Sequence, residues 1–401
     1  MPKIHYFNPG HETAILLGTE NYTPPANVQK MQSQLALLPV WYADPTDYVW
    51  VEEIVSPRFF SLQSKQLHPF AMPVTRNGVN RMKTDGIPKE IDLWGLSPHS
   101  IRHFNQLKQT YDLPWIVPAW KEEYTHLTSR QTAAECLEKI RRSLPNLSWP
   151  AVPKFCTKTE EIEKYLLLQS APFVVKTPFS SSGRGLLWLH QRKLTEKDKN
   201  WIKGALHKQG SVSIECGLEK IQDFALEFFS DGQGTIRYEG LSVFGTEARG
   251  AYSGNILEHP DPMLKRLTRF VDEETFRQVR EAVTEALRNT YASIYRGYLG
   301  VDMLIYKRKD GSYAIHPCIE INMRYTMGMV ALRLFQKYLS PHALGDFRIS
   351  YEGHPGEAYQ RHRFMKKAYP LKMENGKITE GYLSLCPVTK ETQYRAYILI
   401  L

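Results

Sequence analysis

Apolar residues recur along the chain with two periods, and the switches between them mark strands and helices. Lys3 to Phe7 has the pattern of a short strand and runs into Asn8-Pro9-Gly10-His11-Glu12, a turn composition that opens a helix through Thr13 to Leu17. Pro24 and Pro25 suit the start of a second helix, on which Val28, Met31, Leu35 and Leu38 fall at helical spacing. Val40-Trp41-Tyr42 then reads as a strand, and the β-α-β rhythm predicts a small parallel or mixed sheet. From Arg58 to about Trp120, proline, histidine and aromatic residues break the periodicity, and a boundary is expected near Glu123.

The pattern is cleaner beyond that point. Ser129 is placed to cap a helix reaching about Arg142, with Ala133, Leu137 and Ile140 on its apolar face. Phe173 to Lys176 reads as a strand, followed by a Ser/Gly turn and a second strand at Leu186 to Leu189. Thr195 is a cap for the next helix, and Val212 to Cys216 returns as a strand. Asp272 opens a long helix whose stripe runs Phe276, Val279, Val283, Leu287, Tyr291 and Ile294, with a stop expected at Arg296-Gly297. A strand from Leu299 to Tyr306, a turn at Asp310-Gly311 and a return through Ala314 to Asn322 make a hairpin that sets Asp302 beside Glu320. After Arg333 the chain reads as rich in loops, with strands at Gly381 to Leu385 and Tyr394 to Ile400.

Composition narrows the classes. A chain of 401 residues exceeds one ordinary hydrophobic core, so two or three domains are expected. Its 42% hydrophobic and 23% charged residues describe a soluble globular protein. The net charge of +9 suits an anionic partner, and ATP, nucleic acid and an anionic membrane surface all satisfy it. The basic residues are scattered apart from clusters such as Lys307-Arg308-Lys309, and no nucleic-acid motif is present. Cys136, Cys156, Cys216, Cys318 and Cys386 form no C-x-x-C pair and are odd in number, which predicts a reducing compartment without disulfides or a zinc site. No run of about eighteen apolar residues and no signal-like start is present, so a cytoplasmic location without a membrane span is expected.

Candidate chemistry concentrates in Glu320-Ile321-Asn322-Met323-Arg324. In an extended strand, alternate residues share a face, so Glu320, Asn322 and Arg324 point the same way. Mg²⁺ takes oxygen ligands and is commonly held by one or two carboxylates together with substrate phosphates. Glu320, Asn322 and Asp302 offer such oxygens, and the Arg324 guanidinium suits phosphate. The loop Thr177-Pro178-Phe179-Ser180-Ser181-Ser182-Gly183-Arg184-Gly185 joins two strands, so it is neither a Walker loop nor a dinucleotide turn. Its backbone N–H groups and hydroxyls can close over phosphates that Lys176 reaches from the preceding strand, or it is a plain flexible hairpin.

With Lys176, the Ser/Gly hairpin, Asp302, Glu320, Asn322 and Arg324 in this order, the chain resembles the ATP-grasp superfamily from about Thr128 to Arg333. The usual Asn-Pro-Arg is Asn322-Met323-Arg324 here, which keeps the arginine. The resemblance implies an α/β protein of the α+β ATP-grasp type. It implies an N-terminal α/β domain over 1–125, a nucleotide-lid subdomain over 126–211, and a C-terminal catalytic subdomain with an extension over 212–401. It further implies ATP as ligand, with two Mg²⁺ ions on Asp302, Glu320 and Asn322 and Mn²⁺ as an alternative ion. Lys176, Ser181, Ser182 and Gly183 match phosphate contacts, Glu215 and the backbone from Cys216 to Leu218 an adenine hinge, and Asp223 a ribose contact. Arg130 stands where a second ATP-binding lysine is usual. Arg249 and Glu247 lie in a segment that meets the transferred group or the substrate, and Asn8, His11 and Glu12 lie where the first domain contributes substrate contacts.

The activity implied by the resemblance is an ATP-dependent ligase that joins a small-molecule carboxylate to an amine through an acyl phosphate. A small-molecule kinase and a non-catalytic ATP-binding protein are the alternatives.

Overall fold

The computed structural model describes residues 1–53, 59, 67, 71–79, 82, 86–180, 185–246 and 252–401. The chain forms two compact units, each assembled from separate stretches of sequence. One comprises Met1–Lys121, Ser253–Pro260 and Met329–Leu401, and the other Glu122–Tyr252 and Asp261–Gly328.

The first unit holds a five-stranded sheet in the order Met72–Val74, Tyr48–Trp50, Lys3–Tyr6, Lys89–Leu93, Trp115–Ile116, with every neighbouring pair parallel. Parallel strands carry apolar residues on both faces. Ile4, Trp50, Ile91 and Trp115 accordingly pack with Phe104 of the Pro98–Tyr111 helix in one core. Trp41, Tyr42, Trp50 and Trp94 are all buried. The strand expected at Val40 to Tyr42 is absent: Leu38–Trp41 is a turn of 3₁₀-helix, and the strand comes later at Tyr48–Trp50. Pro39 at the start of that turn has no N–H to give to a ladder, and the Trp41 indole donates to the Leu385 carbonyl at 2.6 Å.

The C-terminal part of this unit is an antiparallel run in the order Tyr252–Leu257, Gly345–Tyr351, Tyr394–Ile400, Lys377–Ser384, Lys372–Glu374. The stretch after Arg333 is therefore not loop-rich. It contains the end of the Met327–Tyr338 helix, the Gly345–Tyr351 strand and the Glu357–Ala368 helix. The last of these buries only Ala358, so its sequence has no apolar stripe for periodicity to detect.

The second unit contains two antiparallel sheets. One orders Lys154–Cys156, Val212–Cys216, Phe173–Lys176 and Leu186–Leu189, over a core including Phe173, Val175, Ile202 and Ile214. The other orders Tyr313–Asn322, Arg296–Lys307, Glu219–Asp231 and Ile236–Thr246. Helix Arg130–Ser143 starts at Ser129, whose hydroxyl accepts from the Gln131 N–H, and Glu273–Tyr291 starts at Asp272, which accepts from the Thr275 N–H. The latter ends at Tyr291, not at Arg296-Gly297, which already opens the next strand. Gly297 has φ of 151°, and a Cβ there would lie 2.4 Å from the Tyr295 hydroxyl. That glycine answers to a close approach at the strand start instead of ending a helix.

Candidate active site

Strand register builds the centre of the site. Asp302 pairs with Glu320 and Gly300 with Asn322, while on the other side of the same strand Ala225 pairs with Asp302 and Glu227 with Gly300. Residues directly opposite one another share a sheet face. One face therefore carries the row Ala225, Asp302, Glu320 and, beside it, the row Glu227, Gly300, Asn322. The strand stops at Asn322, and Arg324 lies two residues beyond it as a β-bridge. Its guanidinium folds back, donating from Nη2 to Asn322 Oδ1 at 2.6 Å and from Nη1 to the Tyr325 carbonyl at 3.1 Å.

Asp302 is pushed up to about 8, by burial first and then by the charge of Glu320, against the opposing pull of Arg324 and Asn322. Two carboxyls and an amide oxygen on adjacent strands, one of the acids held partly protonated, form a site short of positive charge. That donor set fits Mg²⁺, which takes oxygen ligands. Among the described residues there is no group of three or more His, Cys, Asp and Glu side chains suited to a metal.

The raised Asp302 value has a consequence for stability. Its ordinary value is 3.8, so between there and about 8 the folded chain keeps a proton that the unfolded chain has lost. Stability is unaffected at lower pH, falls as pH rises through that window, and carries the full penalty above it. Asp302→Asn, which puts an amide where the protonated acid sits, is expected to flatten the fall by on the order of a few kcal/mol. Thermal denaturation in chelator from about pH 5 to about pH 9 checks this, and parallel curves for the two proteins would contradict it.

Glu320 accepts from Arg130 Nη2 with both oxygens, at 3.1 and 3.0 Å. Arg130 is buried at the first position of its helix, and its Nη1 donates to the Thr177 carbonyl at 2.6 Å and to Ser180 Oγ at 2.8 Å. It thus ties the helix, the foot of the Ser/Gly loop and Glu320 together. The loop closes at its base through Thr177 N–H donating to the Gly185 carbonyl at 3.0 Å. A Cβ at Gly185 would lie 2.2 Å from Thr177 Oγ1, so only glycine fits that closure. Ser181, Ser182, Gly183, Glu247 and Arg249 lie outside the described residues.

Lys176 ends its strand with Nζ against Glu215 of the neighbouring strand. Burial alone would raise the Glu215 carboxyl; the Lys176 ammonium against it holds it below the usual range. His316, four residues before Glu320, is buried and pushed down to about 4 by burial, so it is neutral at pH 7. Cys216 Sγ sits 3.9 Å from the Tyr165 hydroxyl, and Leu218 is half-buried in the short link to the next strand. Asp223 accepts from Lys220 Nζ and from Thr246 Oγ1, both at 2.6 Å.

All the described ATP-site candidates thus fall in the second unit. The first-domain candidates fall in the other: Asn8 exchanges two bonds with Gly95, donating to its carbonyl at 2.7 Å and accepting from its N–H at 3.2 Å. A Cβ on Gly95 would lie 2.3 Å from the ring of His11, and both His11 and Glu12 are buried. These residues follow the Lys3–Tyr6 and Lys89–Leu93 strands, the neighbours between which the strand order reverses. Open parallel sheets bind ligands at such carboxyl ends.

Sequence reasoning missed two residues. His316 gave no signal, but Glu227 did: it is a lone charge in the run Phe224-Ala225-Leu226-Glu227-Phe228-Phe229. In the structure Glu227 is 2% exposed and accepts from Thr326 Oγ1 at 2.8 Å and Ser242 Oγ at 3.0 Å.

No family model matches the sequence, and no curated protein matches it. Solved structures do match over the whole chain. A biotin carboxylase from Campylobacter jejuni, complexed with a compound described as β-γ-ATP, aligns with 100% of this chain and 88% of its own at a TM-score of 0.52 and 11% identity. The biotin carboxylase domain of 2-oxoglutarate carboxylase from Hydrogenobacter thermophilus, complexed with MgADP, ADP and bicarbonate, aligns with 100% of this chain and 86% of its own at a TM-score of 0.50 and 11% identity. The chain has the ATP-grasp fold. Within that fold, the two antiparallel sheets of the second unit carry Lys176 and the Asp302, Glu320 and Asn322 cluster respectively.

Proposed function

We propose that the protein is an ATP-dependent ligase that joins a small-molecule carboxylate to an amine, forming an amide through an acyl phosphate. The observation that carries this reading is the Asp302, Glu320 and Asn322 cluster with Arg324 bonded to its edge. The fold shared with nucleotide-bound carboxylases supports it. ATP is the phosphoryl donor. Attack by a carboxylate oxygen of the acid on the γ-phosphorus breaks the bond to the β-phosphate oxygen and releases ADP. The amine then adds to the acyl carbon, loses a proton, and phosphate leaves.

Asp302, Glu320 and Asn322 would hold Mg²⁺, with two ions in this reading, and the bound metal supplies positive charge to the phosphates. Lys176 and Arg324 add cationic donors to the same oxygens. Arg130 keeps Glu320 oriented through its paired hydrogen bonds. Glu215 with the backbone from Cys216 to Leu218 would bind adenine, and Asp223 the ribose. Ser181, Ser182 and Gly183 would cover the phosphates, Arg249 would meet the transferred group, and Glu247 the substrate. Asn8, His11 and Glu12 are substrate candidates because they stand at the carboxyl ends of the parallel strands.

ADP release measured across amino acids, dipeptides and other small carboxylates, each with and without an amine, tests the proposal. The expected result is release that requires both partners and leaves an amide. A phosphorylated product that persists when amines are present would mark a kinase. ATP binding with no substrate-dependent release would mark a binding protein.

A further inference from the structure

Glu227 occupies a position where an acid is costly. Its strand neighbours Leu226 and Phe228 are fully buried, and burial pushes its carboxyl up to about 7 against the pull of the Thr326 and Ser242 hydroxyls and of Arg324. An apolar side chain avoids that desolvation altogether. Two backbone segments also close down on it. A Cβ at Gly328 would lie 2.1 Å from Glu227 Oε1, and one at Gly300 would lie 3.0 Å from Oε2. At Gly328 no side chain fits while the carboxyl stays where it is; at Gly300 the carboxyl leaves a tight contact and the Thr326 methyl, 2.5 Å from that Cβ, closes the space. The ladder shifts register between Glu227 and Phe228, and the Ser242 hydroxyl reaches the carboxyl diagonally, since Ser242 itself pairs with Ala225.

What this carboxyl holds is the segment that leads from the clamp into the Met327–Tyr338 helix. Thr326, itself buried, is two residues past Arg324, and Gly328 is four past it. The carboxyl thus anchors the chain just after Arg324 to the same sheet row that carries Asn322, across the gap left by Gly300. We infer that Glu227 is a positioning residue for Arg324: by accepting the Thr326 hydroxyl, with Gly328 in close approach, it aims the guanidinium at the phosphate oxygens of the nucleotide. This rests on the ATP reading proposed above. It assigns to Glu227 an effect on phosphate recognition alone, because neither Thr326 nor Arg324 belongs to the adenine or ribose candidates.

Calorimetric binding of adenosine, ADP and ATP to the full chain, in chelator and again with Mg²⁺, tests the inference. The proteins are wild type, Glu227→Gln, Arg324→Ala, the double variant, and Thr326→Val, which keeps the acid and removes one of its tethers. Glu227→Gln is expected to weaken ADP and ATP by on the order of tenfold with or without metal while leaving adenosine unchanged. Thr326→Val is expected to show the same dependence on phosphate, which keeps the inference open to test if Glu227→Gln does not fold. In the Arg324→Ala background Glu227→Gln is expected to add no further loss, since a residue that acts through another has no effect once that other is gone. Equal weakening of adenosine, a loss that adds in full to that of Arg324→Ala, or unchanged ADP and ATP binding would each overturn the role while leaving the ATP site intact. A wild-type protein that binds none of the three compounds would instead remove the ATP reading, and the inference with it.

Discussion

On the proposed ligase reading, Glu320→Ala is expected to lower substrate-dependent ADP release by about 10²–10³-fold, the cost of removing one preorganised charge contact where a phosphoryl group would be transferred. Glu320 stands opposite Asp302 in the ladder and is held by both of its oxygens to Arg130, so its carboxylate is oriented before any ligand arrives. The alanine variant removes a candidate metal ligand and at the same time releases Arg130 from its partner. Arg130 keeps its bonds to the Thr177 carbonyl and Ser180 Oγ, so the variant is expected to fold, with a melting temperature lowered by the buried guanidinium that has lost its carboxylate. Steady-state ADP release and a melting curve on the same sample separate the two effects. Unchanged turnover would take Glu320 out of the mechanism.

Glu352→Ala is expected to destabilise the protein by about 3–5 kcal/mol, the penalty of leaving one member of a buried ion pair without the other. Arg395 Nη2 donates to Glu352 Oε1 at 2.6 Å, and the two side chains are 3% and 4% exposed. The Ser350 hydroxyl donates to the same oxygen at 3.0 Å, and the guanidinium lies over the Tyr397 ring. Without the carboxylate, a guanidinium is left in the interior of the first unit. Replacing both residues together, as Glu352→Leu with Arg395→Met, is expected to recover most of the loss, because packed apolar groups carry no desolvation penalty. Calorimetric scans of the single and double variants check the order, and a double variant no more stable than Glu352→Ala would contradict it.

Much of the second unit was legible from local pattern. Ser129, Thr195 and Asp272 cap helices as expected, because a cap depends only on a side chain and the N–H groups two or three residues on. The hairpin that brings Asp302 to the Tyr313–Asn322 strand was legible from the turn at Asp310-Gly311, but not the pairing itself: the register next to the turn, Leu304 with His316, would set Asp302 opposite Cys318, and a bulge between Asp302 and Leu304 moves it to Glu320. Legibility failed where an element owed its form to distant chain. Val40-Trp41-Tyr42 has the composition of a strand, yet Leu38–Trp41 is a 3₁₀ turn and Trp41 is fixed by the carbonyl of Leu385, more than three hundred residues away. Glu357–Ala368 is a helix with one buried residue, so nothing in its own sequence announces it.

By itself, then, the sequence determined the helix caps, the Asp302 hairpin and the order of charged and polar residues that resembles the ATP-grasp pattern, because each is set by near neighbours along the chain. Tertiary structure alone decided that Arg130 turns inward to Glu320, that Lys176 meets Glu215, that His316 is buried and neutral, and that Glu227 shares a sheet row with Asn322 across Gly300. It also decided that residues from three separate stretches build the first unit. The reason is common to all of these: charge pairing and burial depend on distance in space, and strands remote in sequence become neighbours only when the sheet assembles.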